Sequence, residues 1–229
     1  MDQFKWIDLF NGTFHLELQY FSMNWYDIFS NIYDTSLEKL YRYSRVRATE
    51  FLDPRPGQVI LDLACGTGAN FEHLKAACES VRIVGTDLSD GMLNKAKARV
   101  EKNGWKNIEL FQSDARSLND SLIGEKIGGP LKFDAVICVL GLSVIPEWER
   151  VLDRMLDLLK RNGRIVVVDV FAEKRTANTW LVEKFARADL NRTIWQTMEE
   201  RTSDFQKEYL PVKESQVGGK LFVATGLLN

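Results

Sequence analysis

The stretch VILDLACGTGAN, residues 59–70, changes character at its centre. It opens with an apolar run containing one acid, Asp62, then passes through Ala-Cys-Gly-Thr-Gly into a segment with helical spacing. A run of this kind leading through glycines into a helix predicts a strand–turn–helix unit. Because Gly66 and Gly68 carry no side chains, we expect them to clear space for a ligand against the main chain.

The pattern of that first unit repeats along the chain. Segments with apolar residues at three- and four-residue spacing separate near-continuous apolar runs, which are typical of strands buried on both faces. Two of these helical segments, 89–104 and 147–163, end in Asn-Gly, a usual helix stop. The alternation predicts an α/β fold with a doubly wound, Rossmann-like, mainly parallel sheet. The five predicted strands are 58–64, 81–87, 107–114, 133–140 and 163–170.

The pattern differs at the two ends of the chain. After a helical stretch from about 176 to 200, two strand-like runs flank KESQVGG and predict an antiparallel C-terminal hairpin. Residues 1–55 are rich in aromatic side chains, and 36–52 read as a helix capped by Ser36. We therefore expect an N-terminal helical cap over 1–55 and a main domain over 56–229.

Composition excludes several classes of protein. The length of 229 residues predicts one domain. Because 30 Lys and Arg are balanced by 32 Asp and Glu, the chain has no overall positive electrostatic field that would attract nucleic acid. No apolar run reaches the roughly 18 residues that a membrane span needs. Three cysteines without a CxxC pair, and no signal-like start, favour a cytoplasmic protein. Two histidines and no ligand cluster predict no metal, and no catalytic residue is assigned.

Two further acids suggest a nucleoside ligand. Asp87 ends the second predicted strand, 25 residues after Asp62, where a carboxylate can accept both hydroxyls of a ribose. Asp114 closes the third strand in QSDA, where a side-chain oxygen and an adjacent amide could bind an adenine edge. These positions favour an adenosine-containing ligand.

A dinucleotide fits the glycine turn poorly. In the G-x-G-x-x-G fingerprint, counting from Gly66 and Gly68, the third glycine position is occupied by the bulky Phe71. A phosphate-binding loop is also disfavoured, because no Gly-Lys-Ser/Thr follows. An NAD-dependent oxidoreductase is therefore the weaker interpretation.

Four stretches taken together, VILDLACGTGAN, VGTDLSDGMLNKA, FQSDA and FDAVICVLGL, resemble the class I S-adenosylmethionine-dependent methyltransferases. The resemblance covers roughly residues 33–170 and is greatest to the UbiE/COQ5-like branch, which includes quinone-biosynthesis enzymes. It implies S-adenosyl-L-methionine as cofactor, a seven-stranded sheet with a reversed last strand, and a substrate lid at about 171–200.

The resemblance also implies cofactor-binding positions. In this family the residues of the first motif contact the cofactor, and an acid at the end of the second strand binds the ribose. A pair of residues at the end of the third strand binds the adenine. A tyrosine and an arginine before the core often reach the methionine end, where a guanidinium fork suits a carboxylate. Alternatively, that arginine lies on a solvated helix face. The matching positions are Asp62, Ala64, Gly66, Gly68, Asp87, Leu88, Asp114, Ala115, Val139, Tyr33 and Arg45.

The resemblance leaves the methyl acceptor open. We expect a hydrophobic small molecule or lipid, either a quinone precursor or a lipid with an amine head group. A non-catalytic S-adenosylmethionine-binding sensor is the alternative from another class. The aromatic leader could be a packed cap, a substrate site or a peripheral membrane contact. Trp180, Phe185 and Trp195 are candidates for either lid or core, and the oligomeric state is not predicted.

Overall fold

The computed structural model describes residues 40–128 and 132–229. Its centre is a seven-stranded sheet in the order β3-β2-β1-β4-β5-β7-β6. The strands are β1 (Val59–Leu63), β2 (Arg82–Asp87), β3 (Ile108–Gln112), β4 (Phe133–Val139), β5 (Leu159–Phe171), β6 (Ser203–Tyr209) and β7 (Lys220–Leu227). The helices are α1 (described over 40–52), α2 (Phe71–Ala77), α3 (Asp90–Asn103), α4 (Asp120–Ile127), α5 (Trp148–Asp157), α6 (Ala177–Ala186), α7 (Ile194–Arg201) and α8 (Glu214–Val217).

The topology confirms the predicted doubly wound sheet. Strands β1 to β5 pair in parallel, and the direction in which strands are added reverses between β1 and β4. Strand β7 runs antiparallel between β5 and β6, which confirms the C-terminal hairpin. The gap between β1 and β4 is the switch point, where ligands of open α/β sheets bind at the carboxyl ends of the strands.

The core lies on both faces of the sheet. Consecutive strand residues belong to different hydrophobic clusters: Ile60 and Ile137 pack on one face, while Leu61 and Val136 pack on the other. All four are almost fully buried. This double burial explains why the strands read as near-continuous apolar runs.

The end of α5 differs from the sequence prediction. Residues 147–163 were expected to form a helix ending in Asn-Gly, but α5 ends at Asp157 and β5 begins at Leu159. Asn162 has φ of 61°, and the pairing of β4 with β5 shifts register here. A Cβ on Gly163 would lie 2.7 Å from the carbonyl oxygen of Lys160. The Asn-Gly pair therefore forms an irregularity within the strand, with Asn162 in the left-handed conformation.

The segment after β5 is also more divided than expected. Instead of one helix from 176 to 200, α6 ends at Ala186, the next residue Arg187 has φ of 53°, and α7 begins at Ile194. At the other end of the chain, Ser36, Tyr33 and the predicted leader contacts lie outside the described residues. Within the described ranges, no helix is both long and apolar enough to cross a bilayer.

Candidate functional site

Two strained turns meet at the switch point of the sheet. Ala64 follows β1 with φ of 55°, and Leu140 follows β4 with φ of 61°. Left-handed backbone costs a non-glycine residue roughly 1–2 kcal/mol. The turns are also in close contact, since a Cβ on Gly141 would lie 3.0 Å from the Cβ of Ala64. Strain of this kind concentrates at functional sites. Val139, the last residue of β4, is buried immediately beneath.

The two glycines of the first turn have different surroundings. Both have positive φ, 56° at Gly66 and 75° at Gly68. A Cβ on Gly68 would lie 2.4 Å from Cε2 of Phe71, whereas a Cβ on Gly66 would meet nothing within 4 Å among the described residues. The absent side chain of Gly68 therefore makes room for a buried ring, and contact between Gly68 and a ligand stays a prediction. Of these two glycines, Gly66 is the one that borders open space within the described residues.

Phe71 explains why the turn lacks a third glycine. Its side chain is fully buried, and its ring would also meet a Cβ on Gly85 of β2 at 2.9 Å. The ring thus fills the space between the turn and the strand. A glycine at this position would leave that space empty, at the cost of a large cavity.

Asp62 lies beneath the turn and is fully buried. Both carboxylate oxygens accept hydrogen bonds from Nδ2 of Asn70, at 3.0 and 3.1 Å. Burial raises the pKa of Asp62 to about 7, although the Asn70 bond and the positive charge of Arg45 oppose the rise. Asp62 holds the end of the turn through Asn70. Asn70 was missed by the sequence analysis, although it is the last residue of the quoted stretch.

Asp87 joins the end of β2 to the glycine turn. Its Oδ2 accepts a hydrogen bond from the Gly66 amide at 2.8 Å, and Oδ1 accepts one from the Ser89 amide at 2.9 Å. Burial raises the pKa of Asp87, against these two amide bonds, which lower it. The residue remains half-buried, and the next one, Leu88, is exposed. A carboxylate beside Gly66 and an exposed apolar side chain therefore lie together at this edge.

Asp114 is engaged within its own loop. It caps the short 3-10 turn Ala115–Ser117, and its carboxylate accepts hydrogen bonds from the side chain of Arg116 at 3.0 Å. Partial burial raises the pKa of Asp114, but the bonds and charge of Arg116 outweigh it and lower the pKa overall. Ala115, the next residue, is buried. An adenine would have to share Asp114 with Arg116.

Arg45 lies on α1 and faces the same region. The residue is only 7% exposed, yet its Nε and Nη1 have no hydrogen-bond partner within the part of the chain that the structure describes. Its charge acts on Asp62, which places it near the end of β1. Buried donors are nearly always paired. Two unpaired donors on a buried guanidinium are therefore suited to an anionic ligand group.

A second buried acid, Asp169 of β5, holds the loop that follows β4. Its Oδ2 accepts a hydrogen bond from the Ser143 amide at 2.8 Å, and burial raises its pKa to about 6. Arg192, between α6 and α7, donates to the carbonyl oxygen of Ile145 at 2.6 Å. Neither residue could be predicted from the sequence, because a single acid in an apolar run and an isolated arginine match no motif.

The chain is similar to known methyltransferases. A family model described as "Methyltransferase domain" matches residues 60–163. The phosphatidylethanolamine N-methyltransferase of Cereibacter sphaeroides is 30% identical over 192 residues, which cover 82% of this chain and 88% of that protein. The demethylmenaquinone methyltransferase of Lactococcus lactis is 32% identical over 129 residues, covering 55% of this chain and 47% of that protein.

Solved structures share the fold. The YcgJ protein of Bacillus subtilis aligns with a TM-score of 0.64 at 17% identity, covering 82% of this chain and 99% of its own. Phosphoethanolamine N-methyltransferase 2 of Haemonchus contortus, solved with S-adenosyl-L-methionine, aligns at 0.63 and 16% identity, covering 81% and 52%. The sheet, the family model and the long match to a methyltransferase agree, and the chain therefore belongs to the class I methyltransferases as an enzyme that uses S-adenosyl-L-methionine.

Proposed function

We propose that the enzyme transfers a methyl group to the amine head group of a lipid. The observation that carries this proposal is the extent of the match to the phosphatidylethanolamine N-methyltransferase. That match covers 82% of the 229-residue chain. Whether it starts at the first residue or ends at the last, it includes at least about residues 42–188. It thus includes Arg45 and all of α6, beyond the 60–163 stretch shared with methyltransferases in general.

The cofactor fits three features of the site. The two unpaired donors of Arg45 would hold the carboxylate of the methionine part, since no described residue uses them. The open face of Gly66 would let the cofactor lie against the main chain. Asp87, half-buried beside Gly66, would accept hydrogen bonds from the ribose hydroxyls, and Leu88 would pack against the adenine.

The other predicted positions would act less directly. Asp62 would support the turn through Asn70, and Ala64 would set its direction. Asp114 and Ala115 would border the adenine, and Val139 the methionine part. Tyr33, outside the described residues, stays a proposed contact to the same end of the cofactor.

Methyl transfer requires little from the protein beyond alignment of the acceptor with the methyl group. When bound, S-adenosylmethionine supplies an electrophilic methyl group. An uncharged amine nitrogen would accept it in a single displacement that breaks the sulfur–methyl bond, releases S-adenosylhomocysteine and leaves the methylated nitrogen as an ammonium. The loop after β4 lies beside the proposed methyl position, and Asp169 and Arg192 hold it in place. A fixed loop keeps the acceptor in line and water out.

We also propose how the chain is divided. Helix α1, which carries Arg45, would belong to an N-terminal cap over 1–55, and the segment 171–200 would form the lid of the main domain over 56–229. The backbone supports a link between lid and site, because the Asp189 amide donates to the carbonyl oxygen of Ser143 at 2.8 Å.

A quinone precursor is the second candidate acceptor. It is favoured by demethylmenaquinone methyltransferases of Lactococcus lactis and Bacillus cereus, which are 32% and 28% identical over 129 and 147 residues. This would place the chain in the UbiE/COQ5-like branch and make a ring carbon the nucleophile. The chain spans about half the length of these relatives, so the lipid amine remains our first proposal.

The test is methyl transfer from labelled S-adenosylmethionine to detergent-dispersed phosphatidylethanolamine or to demethylmenaquinone. We expect label in the N-methylated lipid. Phosphatidylcholine, which has no free amine, is the matched control acceptor, and the Asp87→Ala variant is the matched control enzyme. Label in the quinone alone would replace the first candidate with the second. Transfer to phosphatidylcholine at the same rate would show that the amine is not the acceptor.

A further inference from the structure

The outward face of α6 carries three large apolar side chains. Trp180, Leu181 and Phe185 are 54%, 42% and 55% exposed. The opposite face anchors the helix, because buried Thr179 donates a hydrogen bond to the carbonyl oxygen of Gly218 at 2.8 Å. The helix orientation is therefore set by contacts with the core, and its apolar outer face is a consequence of that orientation. Trp195, by contrast, is buried in the core.

The charge around this face is positive. Residues 173–187 contain four basic and two acidic residues, in a chain whose net charge is −2. The acidic side chains are paired: Glu183, 9% exposed, contacts Arg175 at 3.0 Å, and Glu173 contacts Lys220 at 3.8 Å. The surface beside the apolar side chains is therefore basic.

Lys184 completes the pattern. Its Nζ lies 4.9 Å from the centre of the Trp180 ring, on the exposed side of the helix. A lysine ammonium over the face of a partly exposed aromatic ring places a cation beside an apolar group, an arrangement found on interfacial helices. Such helices insert aromatic and aliphatic side chains at the head-group level and place cations near anionic lipid.

We propose that the outer face of α6, formed by Trp180, Leu181, Lys184 and Phe185, docks onto an anionic lipid bilayer. A second copy of the chain is a poorer occupant. At roughly 150–250 Å² for an aromatic side chain, about half of it exposed, the three apolar side chains offer on the order of 300 Å². A stable protein interface needs about 800 Å² per partner. A bilayer has no such minimum, because affinity grows with each inserted group.

Helix α6 lies at the same edge of the sheet as the candidate site. The helix follows β5 at the carboxyl edge of the sheet, where Ala64 and Leu140 also lie. Beyond α6, the Ala172 amide donates to the carbonyl oxygen of Leu190 at 2.7 Å, which returns the chain to the end of β5. Docking would bring this edge of the molecule to the lipid surface. The proposal concerns the surface alone and stands whichever acceptor is methylated.

The experiment is cosedimentation of the full chain with vesicles of phosphatidylglycerol and phosphatidylcholine, or of phosphatidylcholine alone. We expect binding to the anionic vesicles that weakens with salt. The variant Trp180→Gln/Phe185→Gln should lose at least about tenfold in partition coefficient, because each side chain offers roughly half its surface for transfer from water. Tyr209→Gln, which removes an aromatic ring that is 45% exposed on β6, is the matched control and should bind normally.

Several outcomes would overturn the proposal. These are failure of the wild type to bind anionic vesicles, undiminished binding by the double variant, or an equal loss in Tyr209→Gln. A wild-type dimer that becomes monomeric in the double variant, with vesicle binding unchanged, would assign the face to a second copy. Affinity for S-adenosylhomocysteine checks that the variant is folded.

Lys184→Glu tests the same face without removing an apolar group. Because it reverses one exposed charge, we expect anionic vesicle binding to fall about fivefold or more. Unchanged binding by this variant would also overturn the proposal.

Discussion

Arg45→Met should weaken the binding of S-adenosylhomocysteine about 100-fold. Arg45 is 7% exposed, and two of its nitrogens have no partner among the described residues. A hydrogen bond to a charged group contributes about 1.5–3 kcal/mol. Two such bonds at the lower end of that range amount to about 3 kcal/mol, which is about 100-fold in Kd.

The same substitution should leave the ligand-free enzyme at least as stable as the wild type. A buried guanidinium without hydrogen-bond partners costs free energy, and methionine fills a similar length with apolar atoms. The change also removes a positive charge that lowers the pKa of Asp62, so the pKa of that carboxyl should rise further above its ordinary value. Thermal unfolding without ligand measures the stability.

The assay is calorimetric titration with two ligands. S-adenosylhomocysteine carries the amino-acid carboxylate, and 5′-methylthioadenosine lacks it. We expect Arg45→Met to weaken the first ligand and leave the second unchanged, and Arg45→Lys, which keeps the charge without the fork, to fall between. An equal loss for both ligands, or a lower melting temperature without ligand, would refute the role of Arg45 in holding the carboxylate.

Three further predictions follow from the same region. Gly68→Ala should destabilise the protein by about 3 kcal/mol or more, because its Cβ would overlap the Phe71 ring and its φ is positive, whereas Gly66→Ala should cost only about 1 kcal/mol. Urea unfolding compares the two variants, and equal losses would contradict the different surroundings of these glycines. Asp87→Ala should cost about 1.5–3 kcal/mol of S-adenosylhomocysteine affinity in calorimetry, and unchanged affinity would remove this residue from the site. Because the folded pKa of Asp169 is raised from 3.8 to about 6, its contribution to stability is present below about pH 4 and is lost as the pH rises through about 6. The wild type should therefore lose about 2–3 kcal/mol more than Asp169→Asn between pH 4 and pH 7, and parallel urea-unfolding curves across that range would contradict the assignment.

Much of the fold could be predicted because its signals are local. Buried parallel strands read as apolar runs, and α3 ends where Asn103-Gly104 predicts, with Gly104 at φ of 67°. The same dipeptide at 162–163 misled the prediction. There, pairing with β4 overrides the local signal and draws Leu159 and its neighbours into β5. A turn signal says that the chain bends but not which element contains the bend.

The candidate site shows a similar division. Asp87 and Gly66 were identified from a motif, and they are in contact in the structure. Asn70 and Asp169 were missed, because each acts through hydrogen bonds that match no sequence motif. One partner of Asp169 is Ser143, 26 residues away along the chain. The contact of Gly68 with the Phe71 ring could not be predicted, because sequence spacing does not show which side of a turn a missing side chain would occupy.

By itself, the sequence determined the succession of the strands and the doubly wound class of the sheet, because apolar runs and turn residues are local signals, and the resemblance carried by its motifs indicated the methyl donor. Only the tertiary structure decided that Trp195 is buried while Trp180 faces outward, that Phe71 fills the space above Gly68, and that the Arg45 guanidinium has two unpaired nitrogens within the described chain. The physical reason is that burial and hydrogen-bond pairing are properties of contacts between distant segments, and such contacts exist only once the sheet has formed.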